Sequence, residues 1–239
     1  MSEESYENMK LPSDSATNSR LNSLRAAVLG ANDGLVSVSS VVMGVAGASS
    51  DRRAVAVAGM AALIAGALSM MVGEYVSVSS QSDAEKAFVI QEKKELAEDP
   101  DFELEELARE YQKLGLGDET SHIVARELTE KDALRAHLHV HFNLNPDDIN
   151  SPWQAGIASL ISFTIGGLIP FLTVLFAPTN WRIEATVAAV VAALVVTGFL
   201  SATAGKASRK RAIIRVVVGG ILAMVVTYLV GKLFGTVAG

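Results

Sequence analysis

Five apolar stretches, each long enough to cross a lipid bilayer, constrain this chain more than any other feature. They cover approximately residues 24–48, 54–80, 153–177, 181–204 and 213–234. A helix rises 1.5 Å per residue, so about 20 apolar residues span the ~30 Å hydrocarbon layer. Because lipid offers no hydrogen-bond partners, apolar runs of this length favour helices, whose backbone groups bond one another. We therefore predict an all-α membrane protein with five transmembrane helices.

A long acidic block separates the second stretch from the third. Residues 81–150 hold 18 Asp and Glu against 8 Lys and Arg, a local net charge of −10 in a chain whose total is −6, and they contain all four histidines. Their pattern predicts a helix that continues the second span, a second helix from Pro100 to Gly115, and short helices over 120–128 and 131–142. An acidic, histidine-containing block in a hydrophobic chain points to a metal cation as its partner.

The predicted organisation has four parts. They are a disordered cytoplasmic tail (1–22), transmembrane helices 1 and 2 (23–80), a cytoplasmic acidic helical metal-binding module (81–150) and transmembrane helices 3 to 5 (151–239). The orientation follows from a basic cluster between spans four and five, because positive residues in short loops stay cytoplasmic. That cluster comprises Lys206, Arg209, Lys210, Arg211 and Arg215. Arg52 and Arg53, on the opposite side of the membrane, oppose this assignment.

Two spans carry polar residues at a depth where they are costly. Asp33 lies about nine residues into the first span, where a charged acid costs on the order of 2.5–3.5 kcal/mol. Ser37 follows on the same helix face, and Met70 and Glu74 form a similar stripe in the second span. Because these groups suit Fe²⁺ or Mn²⁺, we predict that the four residues line a cavity that can hold such an ion. The structural alternative is a protonated Asp33 bonded to a neighbouring helix, an exposed Glu74 and a Met70 that only packs.

Metal ligands in the acidic block must be carboxylates, imidazoles or thioethers, because the chain has no cysteine. Three pairs of candidate ligands share a helix face: Glu92 with Glu95, Glu103 with Glu106, and His137 with His141. Each pair alone also fits a solvated face, with Lys93, Lys94 and Arg109 available as partners. Glu119 and His122 form a single E-x-x-H motif, whereas a ferritin-like di-iron site needs two, which disfavours a di-iron oxidase.

Three strings in the first half of the chain carry a family pattern: AVLGANDGLVSVSSVVMGVAGA, GALSMMVGEYVSVSSQSDAEKA and ELAEDPDFELEELAREY. They resemble the vacuolar iron transporter family in its bacterial form. The resemblance extends from Leu24 to Gly235, including the five spans and the acidic insert. It implies a homodimer that exports cytosolic Fe²⁺, and often Mn²⁺, in exchange for protons.

The resemblance also implies roles for individual residues. Asp33 and Met70 match the family's transmembrane path, and four insert glutamates match its metal-collecting pairs: Glu92, Glu95, Glu103 and Glu106. Plant-type members complete this site with a Met-Met pair and a Glu, where the present chain has RAHLHVHFNL. An ungapped match places His137 and His141 there, and a slip of two residues would select His139 and Asn143 instead. Imidazole ligands predict that binding weakens below about pH 6.5.

The leading hypothesis is a secondary transporter that exports divalent iron and/or manganese from the cytosol by proton antiport. The alternative is a membrane-anchored metal-binding sensor or buffer without transport. We predict no enzymatic activity, because no nucleophile–base pair or phosphate-binding loop is recognisable. The expected partners are divalent metal ions, protons, the lipid bilayer and a second copy of the chain, with no prosthetic group and no nucleic acid. The bacterial form places this multi-pass protein in the plasma membrane.

Overall fold

The structure, a computed structural model, describes residues 14–145, 151–205 and 207–237, and these residues form helices and short connections without a β-strand. The helices are α1 (Asp14–Ala48), α2 (Arg52–Glu98), α3 (Pro100–Lys113), α4 (Asp118–Phe142), α5 (Pro152–Phe176), α6 (Arg182–Ala204) and α7 (Arg209–Val237). A 3-10 turn, Thr179–Trp181, precedes α6. The predicted all-α class is confirmed.

Five of these helices are long and apolar enough to cross a membrane. The apolar segments lie within Ala26–Ala48, Arg52–Glu98, Pro152–Phe176, Thr179–Thr203 and Arg209–Gly235. This agrees with the five stretches predicted from sequence. At 1.5 Å per residue the 47 residues of α2 measure about 70 Å, more than twice the ~30 Å of hydrocarbon, so only part of α2 can lie in the bilayer.

The chain divides into two compact units, and the division falls inside α2 between Tyr75 and Val76. The first, which we call the span unit, holds the chain up to Tyr75 and from Trp153 onward. The second, the insert unit, is Val76–Pro152. The sequence placed these boundaries at 80/81 and 150/151.

The helices of the span unit approach one another through glycines. A Cβ built at Gly34 of α1 would overlap the carbonyl oxygen of Phe163 in α5, and one at Gly231 of α7 would overlap that of Gly44 in α1. Such backbone contact is how membrane helices gain packing energy where lipid and side chains are equally apolar. Gly73 and Gly219 make no such contact among the described residues, because an added Cβ would meet nothing within 4 Å at either position.

The order of these contacts gives the directions of the spans. Gly220 and Gly235 of α7 face Val36 and Ala48 of α1, so residue numbers rise together and the two helices are parallel. Along α2 and α5 the numbers run oppositely, with Gly59 against Phe171, Gly66 against Phe163, and Met71 against Gly156. This is the alternation that consecutive membrane crossings require.

The α1–α2 and α5–α6 connections are held together by arginines. Arg52 donates to the Ala177 carbonyl oxygen at 2.7 Å, and Arg182 donates to that of Ser50 at 3.3 Å. Asp51 caps α2 by accepting from the backbone N–H of Arg53 at 3.0 Å. Arg52 therefore has a structural role in holding these two connections together.

In the insert unit, sharp breaks separate the helices. The Asp99 side chain accepts from the Phe102 N–H at 3.1 Å, and Pro100 begins α3, a favoured start for a helix. α4 contains the two predicted short helices joined at Asp132, whose extended backbone (φ −170°, ψ 88°) interrupts the helix. Asp132 then accepts from the Arg135 N–H at 3.0 Å and caps the second half. A small core joins α3 to α4 and consists of Leu107, Ala108, Ala125 and Ala136.

The N-terminal prediction differs in part from the structure. α1 begins at Asp14, so residues 14–22 are helical although the sequence assigned them to a disordered tail. Extending an existing helix costs far less than nucleating one, and the apolar span supplies the nucleus. The remainder of that tail, residues 1–13, lies outside the described residues.

Candidate metal centre and membrane cavity

The insert unit brings together acidic and imidazole side chains from three helices. Glu92 lies near the C-terminal end of α2, Glu103 in the first turn of α3, and His137 in the second half of α4. They are 3%, 6% and 0% exposed, respectively. Ionisable groups are almost never buried to this extent unless they are paired or bind a metal. A solvated helix face therefore does not describe Glu92 or Glu103.

The buried groups are close without being satisfied. His137 Nδ1 lies 2.9 Å from Glu92 Oε1 and 3.4 Å from Glu103 Oε2. Nevertheless, Glu92 Oε1 and both ring nitrogens of His137 lack a hydrogen-bond partner. An unsatisfied buried polar group costs about 1–3 kcal/mol, so several in one place call for a ligand.

The separations suit the coordination of a single ion. Two ligands bonded at about 2.1 Å lie about 3.0 Å apart at a right angle and about 3.4 Å apart at the tetrahedral angle. The two measured separations are 2.9 and 3.4 Å. His141 contributes a third donor, since one ligand atom each from Glu92, His137 and His141 lie within 4.8 Å of one another. The two imidazole ring centroids are 5.5 Å apart.

The electrostatics of this cluster disfavour the charged forms in the absence of a cation. Burial raises the pKa of Glu92, and the nearby Glu103, Glu95 and Glu106 raise it further, whereas His141 lowers it. Burial likewise raises the pKa of Glu103, as does the charge of Glu106. A divalent cation would offset this repulsion and favour the carboxylate forms.

His137 is perturbed in the opposite direction. Burial lowers its pKa, and the neighbouring His141 lowers it further, while Glu106 and Glu95 raise it. Desolvation disfavours the imidazolium and so keeps the ring neutral, which is the form that coordinates a metal.

The remaining predicted ligands surround this centre. Glu95 and Glu106 are half-buried and contribute to the electrostatics described above, and Glu95 also accepts from the Gln91 amide at 3.0 Å. Of the two alignments left open by the sequence, the one with His137 and His141 has both imidazoles close to Glu92. His139 is exposed, and Asn143 is exposed just beyond the end of α4.

The E-x-x-H motif, Glu119 and His122, is not part of the cluster of candidate ligands formed by Glu92, His137 and His141. His122 instead bonds the Asp118 carbonyl oxygen at 2.8 Å and lies 3.2 Å from Glu105 Oε2. The first contact lies within α4, and the second joins α4 to α3 at their exposed side. His122 therefore has a local structural role.

The span unit contains a cavity of about 550 Å³ with polar groups on its wall. It is lined by Leu29, Asn32, Asp33, Val36, Met70, Arg215, Val216, Gly219 and Gly220. Asp33 and Met70, predicted from different helices, thus face the same space. Ser37 donates to Asp33 Oδ1 at 2.7 Å. Glu74, one turn beyond Met70 on α2, is half-buried and is not among the lining residues.

Two polar lining residues were missed by the sequence analysis. Asn32 adjoins Asp33 in the A-N-D-G-L string, and its Oδ1 is buried without a hydrogen-bond partner. Arg215 was assigned to the basic loop cluster, but it lies inside α7 on the cavity wall. Its spacing to Gly219 was the available signal, because residues four apart share a helix face.

These features define a multi-pass helical membrane protein with a cavity that bears a few polar residues in its span unit and a buried carboxylate–imidazole cluster in its insert unit. The chain belongs to the VIT family, whose sequence profile matches residues 24–232. The match covers both units and so relates the whole arrangement, rather than the spans alone, to one family.

Named relatives cover nearly the full chain. A protein named vacuolar iron transporter from Acanthamoeba castellanii is 42% identical over 214 residues, which are 89% of this chain and 79% of that protein. Vacuolar iron transporter homolog 4 of Arabidopsis thaliana is 37% identical, with 89% and 84% covered. Homolog 2 of the same plant is 36% identical over 232 residues, 95% of this chain and 94% of its own length.

Proposed function

We propose that this protein is a secondary transporter that exports divalent iron and/or manganese from the cytosol, coupled to proton antiport. The relatives' names support iron as cargo. The observation that carries the proposal is the cavity in the span unit, where Asp33, Asn32 and Met70 face a common space. Two oxygens and a thioether suit a borderline divalent cation.

The depth of Asp33 separates transport from anchoring. An acid inside a membrane span is costly and is retained mainly where it contacts a substrate, a proton or an ion. A helix that only anchors a protein has no use for one. The half-buried Asp33 with its Ser37 partner therefore fits a path better than a simple anchor.

The insert unit fits a cytoplasmic collecting site for the same ions. Its candidate ligands are Glu92, Glu95, Glu103, Glu106, His137 and His141, and they combine carboxylate with imidazole donors. Such a set accepts Fe²⁺ and Mn²⁺ without excluding Co²⁺ or Zn²⁺. The cargo and the collected ion are the same chemical species in this proposal, with no prosthetic group.

Direction, coupling and location complete the proposal. The exposed Arg209, Lys210 and Arg211 support a cytoplasmic α6–α7 connection, whereas Lys206 lies outside the described residues. With five crossings, the insert unit is then cytoplasmic too. Protonation of carboxylates along the path would release the metal and couple export to a proton gradient. We place the protein, as a homodimer, in the plasma membrane, although the relatives are named as vacuolar.

Uptake of Mn²⁺ or Fe²⁺ into proteoliposomes tests this function. Wild-type protein is expected to move the ion against a control without protein, and a pH-sensitive dye is expected to report opposite proton movement. Asp33→Ala is expected to abolish uptake, whereas Asp51→Ala, at an exposed helix cap outside the cavity, is expected to retain it. Uptake that is indifferent to Asp33 would exclude the proposed path.

A metal sensor or buffer anchored in the membrane is the second candidate. The observation in its favour is that the carboxylate–imidazole cluster is complete within the insert unit. This alternative predicts metal binding without any uptake into proteoliposomes. The same experiment therefore distinguishes the two functions.

A further inference from the structure

Arg215 lies at the same level of the span unit as Asp33. A Cβ built at Gly220 of α7 would lie 3.6 Å from Val36 Cγ2 of α1, and these two helices are parallel. Arg215 lies about one helical turn before Gly220 on α7, and Asp33 lies about one turn before Val36 on α1. Both then face the same cavity.

The cavity wall offers acceptors that lack donors. Asn32 Oδ1 is buried and has no hydrogen-bond partner. Ser37 occupies Asp33 Oδ1, which leaves Oδ2 for another group. A metal ion would satisfy these oxygens, and so would a donor with several N–H groups.

Arg215 carries such donors. Its guanidinium has five N–H groups and keeps its charge at any physiological pH. Among the described residues, Arg215 makes no ion pair within 4.0 Å. Gly219, one turn further along α7, leaves open space beside it, because an added Cβ would meet nothing within 4 Å.

A permanent cation on the wall of a cation path requires an explanation. A guanidinium and a divalent metal repel each other, so they compete for the same acceptors. We propose that Arg215 is a tethered competitor of the transported metal, whose charge opposes the ion in the cavity and favours its release. This inference rests on the proposed transport function, and it makes Arg215 a residue that sets affinity and release.

Transport kinetics of Arg215→Gln test the competition. Removing the competitor is expected to tighten binding, so the KM for Mn²⁺ falls by between about 5-fold and 150-fold, the usual range for coupled sites. The maximal rate is expected to fall with it, because the metal then leaves slowly. Arg215→Lys, which keeps the charge, is expected to lie nearer to wild type. Arg211→Gln is the matched control, since it lies one turn earlier on α7 and is absent from the cavity wall.

The outcomes separate this inference from the proposed function. A KM for Arg215→Gln that equals that of Arg211→Gln would overturn the inference and leave Arg215 as a basic residue facing lipid headgroups. If wild type shows no uptake, the transport function fails. Mn²⁺ titration of the full chain in detergent then tests the competition directly. Tighter binding in Arg215→Gln that disappears in Arg215→Gln/Asp33→Ala supports it, and equal binding in all variants overturns it.

Discussion

At the residue scale, the centre of the insert unit is defined by unsatisfied atoms rather than by charge. Most glutamates of the acidic block are exposed or make ordinary surface pairs, such as Glu98 with Lys94 at 3.6 Å. Glu92 and His137 differ because they are buried, adjacent and without hydrogen-bond partners. A cation would convert that cost into coordination bonds, which is why these atoms are the best candidates for ligands.

The two neighbouring histidines allow a matched test. His137→Ala is expected to weaken Mn²⁺ binding to the insert unit by at least about 100-fold, since even partners outside the first ligand shell account for 10–100-fold in metal sites. His139→Ala removes an exposed imidazole two residues away and is expected to leave affinity unchanged. Calorimetric titration of the full chain in an Asp33→Ala background measures both. Equal losses in the two variants would contradict the assignment of His137.

Acid is expected to weaken metal binding through the carboxylates. The raised pKa values of Glu92 and Glu103 mean that these groups take up protons at a higher pH than ordinary glutamates do. The lowered pKa of His137 acts in the other direction, because that ring stays neutral below its usual range. The sequence expected imidazole protonation near pH 6.5 to dominate, and the structure moves the contribution of His137 to lower pH.

The shifted pKa values also make the free energy of unfolding of the metal-free protein depend on pH. The raised carboxyl pKa values stabilise the metal-free fold below their unfolded values, and this contribution is lost as pH rises through the folded values. The contribution of neutral His137 is present above its unfolded pKa and is lost as pH falls.

We expect Mn²⁺ affinity to be lower at pH 5.5 than at pH 7.5 by on the order of tenfold, about 1.4 kcal/mol. Equal thermal stabilisation by Mn²⁺ at the two pH values would contradict this expectation.

At the element scale, the spans depend on a few positions where backbones touch. α1 meets α5 at Gly34 and Gly166, and it meets α7 at Gly44 and Gly231. Gly73 and Gly219 lie in the spans without such contacts. The particular contacts depend on how the helices are rotated about their axes, which a single sequence does not specify.

Replacing Gly34 and Gly73 by alanine compares a glycine of α1 with a glycine of α2. Alanine favours a helix over glycine by about 1 kcal/mol, so Gly73→Ala, which meets nothing within 4 Å, is expected to preserve or slightly raise the melting temperature. Gly34→Ala would overlap the Phe163 carbonyl oxygen, and overpacking of this kind costs typically 1–3 kcal/mol. Thermal unfolding of both variants in detergent checks the contrast. A Gly34→Ala protein as stable as wild type would contradict the backbone contact.

At the scale of the whole molecule, features set by hydrophobic length and local spacing could be predicted from the sequence. Features set by contacts between distant helices could not. Hydrophobic length alone predicted the five spans and the insert, because the bilayer sets the length of a crossing helix. Helical spacing predicts that His137 and His141 share a face of α4, since that geometry is local. Burial of Glu92 and Glu103, and the position of Arg215 on the cavity wall, depend on contacts between helices distant in sequence. Spacing within one helix cannot supply those contacts.

The break at Asp132 divides α4 into two helical halves, and the second half has its own N-terminal cap. Its own cap means that residues 133–142 can open without unravelling the first half, and local opening of such segments is a common motion. This segment carries both His137 and His141, so coordination would fasten it from within. Metal binding is then expected to slow amide hydrogen exchange in residues 133–142, while the first half of α4 exchanges at an unchanged rate. The degree of order in this short helical segment would then depend on the concentration of the ion.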